Sequence, residues 1–207
     1  MLVDSHCHLD LLQDYDGAVQ RAKQAGVAYL QTIATSLPAL PNLLEIAKQY
    51  DNVFVSAGVH PCSVKQERDI PSVDELVSWG KNQKVTAFGE TGLDYYHPGY
   101  NKIAQQNSLL NHIYAGCALG LPLVIHNRDS DLDCQQILAT EYKKQEFTGL
   151  IHCFASDLAF AKKVLDIGFY ISISGIVTFS NAQKLIEVVA YTPLDRLLIE
   201  TDSPYLA

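Results

Sequence analysis

The chain opens MLVDSHCHLD, which places His6 and His8 two apart at the end of a short apolar run. Residues i and i+2 of an extended strand point to the same side, so both imidazoles can project into one space. Neutral imidazole is a common metal ligand. Cys7, between them, faces the opposite way and is a poor ligand candidate for that reason. Four further ligand-type residues close other apolar runs: Glu90 after VTAFG, His126 after LPLVI, His152 after GLI and Asp202 after RLLIET. His60 closes VFVSAGV in the same way, so five of the seven histidines sit at such ends. Chance would scatter them. The parity that sets Cys7 aside also removes Cys153, beside His152. Six donors are too many for one tetrahedral zinc and suit two ions, with the Glu90 carboxylate as the natural bridge. Two ions about 3.5–4 Å apart activate a water and clamp both oxygens of a displacement. Asp202 is then the candidate to orient that water and take its proton. TDSP also fits a helix N-cap, and only the company of the other donors favours the ligand. Two divalent cations against Glu90 and Asp202 leave a charge of +2, which would draw an anionic phosphodiester.

These donors need a scaffold that brings strand ends together. Strand-like runs recur near 2–8, 27–34, 53–60, 85–90, 121–126, 149–154, 169–175 and 196–202. Several are almost wholly apolar, as in parallel strands covered on their outer face. Segments such as AVQRAKQAG and LAFAKKVLDIG separate them, each with helical spacing and a glycine stop. Eight strand–helix units predict an α/β fold, a (β/α)8 TIM barrel formed by a single domain over 1–207, with its chemistry at the C-terminal strand ends. The first strand is not followed by GxGxxG, which weakens an open doubly wound sheet.

Composition bounds the partners. The chain is 48% apolar and 18% charged, an ordinary globular mixture. A net charge of −8 argues against a broad basic surface for duplex nucleic acid, though not against a small site made positive by metal. No run is long enough for a membrane span, and five cysteines without a regular framework read as reduced thiols in a cytoplasmic protein.

Taken together, DSHCHLD, GVHP, GETGLDYY, IHNRDS, IHCF, SGIVTFSNA and LLIETDSPYLA resemble the TatD family of metal-dependent deoxyribonucleases, within the amidohydrolase superfamily. The resemblance implies a TIM barrel, divalent ions (Mg, Mn or Zn) on His6, His8, Glu90, His126, His152 and Asp202, and hydrolysis of DNA phosphodiesters from ends or in single strands. His6, His8 and Asp202 would hold one ion, His126 and His152 the other, with Glu90 between. Related barrels hydrolyse other esters and amides, many with a modified lysine where Glu90 stands. Family members also continue beyond PYLA through a basic loop and an eighth outer helix. The expectation is a barrel lacking that helix and therefore marginally stable or self-associating, with an inactive remnant as the opposing reading. His60 and Arg128 are candidate substrate contacts, balanced against a turn before Pro61 and an ion pair of Arg128 with Asp129 or Asp131. Asp94, Tyr95 and Tyr96 sit just past Glu90; the tyrosine faces can stack bases, but aromatic loop packing is the favoured reading, and His97, His112 and Trp79 read as structural.

Overall fold

The computed structural model describes residues 1–206. Eight strands alternate with helices in the order β1 (Leu2–Cys7), α1 (Tyr15–Gln24), β2 (Val27–Ile33), α2 (Leu40–Lys48), β3 (Val53–Ala57), α3 (Val73–Gly80), β4 (Val85–Asp94), α4 (Lys102–Leu119), β5 (Leu123–Arg128), α5 (Asp131–Tyr142), β6 (Gly149–Ile151), α6 (Leu158–Asp166), β7 (Tyr170–Ile173), α7 (Gln183–Tyr191) and β8 (Leu197–Ile199). The strands pair in parallel in sequence order, β1 through β8, giving the (β/α)8 barrel that the sequence predicts. Helix stops follow the chemistry of the chain. Gly120 takes up the left-handed conformation at the end of α4, with φ +66°, which costs a residue without Cβ little.

Side chains sort by parity. Leu123 and Ile125 of β5 join the large core between sheet and helices. Val124 joins Ile33, Ala87 and Leu150 in a small second cluster inside the ring. His126 and His152 lie two residues beyond Val124 and Leu150, so they point inward above that plug.

Plain alternation would not deliver Glu90. In β4, Phe88 pairs with Leu123 and Thr91 with Ile125, so three residues of β4 span two of β5. The extra residue shifts the phase, turning Ala87 and Glu90 inward and Phe88 and Thr91 outward. β4 also runs to Asp94, four residues beyond the expected end, because its ladder with β5 continues through Asp94–Arg128. Gly92, at φ +134°, sits in that stretch directly against the His126 backbone, where a Cβ would collide with it.

Between β8 and β1 the ring is closed largely by the residues after β8. Asp202 N–H donates to His6 O at 2.9 Å and His8 N–H to Ser203 O at 2.8 Å. The Asp4 carboxylate accepts from Thr201 N–H at 3.0 Å and Thr201 Oγ1 at 2.7 Å. Beyond β8 the described chain runs through turns, and Leu2, Val3 and Ile199 expose apolar surface on either side of this seam. No helix among the described residues is long and apolar enough to cross a membrane.

Candidate metal centre

The six expected donors meet at the C-terminal mouth of the barrel. His6 Nε2 lies 3.2 Å from His8 Nε2, 3.5 Å from Glu90 Oε2 and 3.6 Å from Asp202 Oδ1, and His8 Nε2 lies 3.4 Å from Asp202 Oδ1. On the other side of the same carboxylate, Glu90 Oε1 lies 2.8 Å from His152 Nε2, 3.1 Å from His126 Nδ1 and 3.4 Å from His60 Nε2. His126 Nδ1 and His152 Nε2 are 3.2 Å apart. Ligands about 2.0–2.1 Å from a tetrahedral ion are spaced about 3.3–3.4 Å from one another. Most of these separations fit that spacing, so the donor set suits divalent cations. The two oxygens of Glu90 face different donors, Oε2 toward His6 and Oε1 toward His60, His126 and His152.

Ring tautomers sharpen the assignment. His8 Nδ1 faces the Ile33 carbonyl at 3.2 Å and must donate to it, leaving the Nε2 lone pair for the centre. His126 gives its Nε2 proton to Asp94 Oδ2 at 2.9 Å and turns Nδ1 inward as the free acceptor. His152 presents Nε2 inward, with Nδ1 3.4 Å from Glu200 Oε1. His60 differs: its Nδ1 accepts from Cys62 N–H at 3.0 Å, so its proton sits on Nε2, the atom facing Glu90. That makes His60 a donor toward whatever enters the mouth.

The electrostatics favour ionised carboxylates. Burial penalises charge on Glu90, but His152, His60 and His6 outweigh it and hold the carboxyl well below its usual range. Burial likewise opposes charge on Asp94, and hydrogen bonds from His126 and His97 overcome it and keep Asp94 low. His6 is pushed down by burial and by the charge of His152, whose ring stacks on it at 3.9 Å between centroids. For His152, Glu90 and Glu200 outweigh burial and raise it well above an ordinary imidazole. Asp202 and Cys153 adopt left-handed backbone, at φ 54° and 41°, a departure that concentrates at functional sites.

The family model for TatD related DNase matches residues 3–207. This chain belongs to the TatD family. It is 44% identical to YcfH of Escherichia coli K12, named an uncharacterized metal-dependent hydrolase, over all of this chain and 78% of that one. A metal-dependent hydrolase of Buchnera aphidicola from Baizongia pistaciae is 41% identical over 100% of this chain and 79% of its own. Among solved structures, YjjV, a TatD homologue from Escherichia coli K12, superposes with a TM-score of 0.90 at 27% identity, covering 99% of this chain and 80% of that one. The protein is thus a metal-dependent hydrolase of TatD type on a TIM barrel.

In this TatD-family barrel the mouth opens into a cleft of about 450 Å³, lined by His60, Lys65, Tyr100 and Tyr205 among others. Arg128 does not line it; its guanidinium stacks on Tyr96 at 4.0 Å. Cys7 turns away from the donors toward Gln31 O, as parity requires, whereas Cys153 lies past the end of β6 in left-handed backbone and faces Ser174 Oγ. His112 is structural, accepting from Val59 N–H and donating to Ser108 O. Two carboxylates escaped the sequence reading. Asp94 orients His126. Glu200, fully buried, accepts from Cys153 N–H and Ser172 Oγ at 2.6 Å each and backs His152. The signal was present: Glu200 precedes Asp202 by two, the same spacing that singles out His6 and His8.

Proposed function

We propose that this TatD-family hydrolase cleaves DNA phosphodiester bonds at ends or in single strands, using two divalent cations held on either side of Glu90. The observation that carries the reading is the split of the Glu90 carboxylate, one oxygen toward His6 and the other toward His126 and His152. Divalent cations bound there would lower the pKa of a water and stabilise charge on a phosphoryl oxygen. The chain's own groups supply the rest. His6, His8 and Asp202 are assigned to one cation and His126 and His152 to the other. Asp202, 13% exposed at the mouth, orients the attacking water and accepts its proton. His60 Nε2–H donates to a non-bridging phosphate oxygen, and Lys65 adds positive charge along the cleft. Tyr100 and Tyr205 offer ring faces against which an unpaired base can stack. Glu90 in place of a modified lysine supports phosphoesters over amides.

The test is metal content and turnover on labelled single-stranded and duplex oligonucleotides, with and without chelator. Shortening of DNA from an end, abolished by chelation and restored by Mg2+, Mn2+ or Zn2+, is expected. Glu90→Gln should lose bound metal together with activity, whereas His60→Ala should keep its metal and lose about 10²-fold in kcat, the scale of one charge-stabilising donor. Intact DNA alongside turnover of another ester or an amide by the metal-loaded protein would overturn the assignment of substrate.

A further inference from the structure

A second cluster of donor atoms lies on the wall of the same cleft, beyond the six already described. Cys62 stands in the turn after β3, Asp94 ends β4, and His97 follows it. Cys62 Sγ is 3.5 Å from His97 Nδ1, and that nitrogen is 2.9 Å from Asp94 Oδ2. All three atoms fall within 4.8 Å of one another. Thiolate, imidazole and carboxylate are the donors zinc accepts, at about 2.3 Å for sulfur and 2.0–2.1 Å for nitrogen, which puts those two ligands about 3.5 Å apart on a tetrahedron. The sulfur–nitrogen spacing meets that value. Both Cys62 and His97 border the cleft, so a remaining coordination position faces solvent and substrate.

We propose that Cys62, Asp94 and His97 form a third cation site, selective for a thiophilic divalent ion and filled by zinc. Binding releases the thiol proton, the His97 ring proton moves from Nδ1 to Nε2, and the Asp94–His97 hydrogen bond gives way to two ligand bonds. The site is coupled to the metal centre on two sides. Asp94 Oδ2 also accepts from His126 Nε2 at 2.9 Å, and the backbone N–H of Cys62 is held by His60 Nδ1 at 3.0 Å. A cation here therefore competes for the carboxylate that orients one ligand and steadies the turn that carries the phosphate donor.

The proposal is separable from the reading of the six donors, because none of those six is a thiol. Metal-free protein is titrated with Co2+ and followed by absorbance and bound-metal analysis. The expected result is an equivalent that raises a thiolate-to-cobalt charge-transfer band in the near ultraviolet, bleached by Zn2+ and insensitive to Mg2+. Cys62→Ser and His97→Ala should each remove the band and one equivalent while the other equivalents remain. His97 is largely exposed, so its substitution leaves the fold intact and secures the test if Cys62→Ser folds poorly. Absence of a thiolate band at every equivalent, or a band that survives both substitutions, overturns the third site. A defect in the six-donor centre would show instead as loss of the equivalents that carry no such band.

Discussion

At the scale of single residues, the carboxylates behind the histidines decide how well the centre holds its ions. Glu200 has no exposed side-chain surface and lies 3.4 Å from His152 Nδ1. Glu200→Gln keeps the shape and removes the charge that helps raise His152. Partners of this kind typically contribute 10–100-fold in metal affinity. The same range is expected here, measured by competition against a chromophoric chelator at matched thermal stability; an unchanged affinity would reduce Glu200 to packing. The ligand types were legible because His6, His8, Glu90, His126, His152 and Asp202 all end apolar runs. Asp94 takes no role from the sequence and Glu200 is not singled out by it, since a carboxylate that supports a histidine has the same composition as one that faces water. Only spacing distinguishes it, two from Asp202 for Glu200 and four from Glu90 for Asp94, and the second spacing has meaning only once β4 is known to continue past Glu90.

At the scale of elements, the site depends on how β4 meets β5 and how α4 meets the turn after β3. Gly92→Ala would drive a Cβ into the backbone of His126 in a conformation L residues rarely adopt. A loss of about 3 kcal/mol follows from overpacking and backbone strain together. Urea unfolding should record it, with a parallel loss of metal affinity because His126 moves with its strand. α4 contributes His112, fully buried and pushed down to about 4 by burial. The unfolded chain protonates this imidazole near 6.5 while the folded chain resists until about pH 4. Its contribution is therefore complete above pH 6.5 and is lost as pH falls from there toward 4, by about 3 kcal/mol. Comparison with His112→Gln, which can still accept from Val59 N–H without titrating, should isolate that slope; parallel curves for the two proteins would remove His112 as its source. The eight strands were readable from apolar runs. The phase shift in β4 was not, because an inserted residue in a ladder leaves no mark in composition and GETGLD reads equally well as a turn.

At the scale of the whole molecule, ion binding and folding are linked. Cations that bind only the folded barrel stabilise it by about 2.7 kcal/mol per site at a hundred times Kd, or about 5–10 °C in Tm for a chain of this size. Exhaustive chelation should lower the calorimetric midpoint by that amount, and readdition of metal should restore it; an unmoved midpoint would mean that the six donors do not hold cations tightly. The seam between β8 and β1 adds a kinetic consequence. The hydrogen bond from Asp202 to His6 that closes the ring joins residues 196 apart in sequence, and the same two side chains face each other as candidate ligands. Such a contact is among the slowest for a chain to make, since it waits on nearly every strand between. An incompletely assembled chain therefore has no reactive centre, and a hydrolase built this way stays silent until its ring has shut.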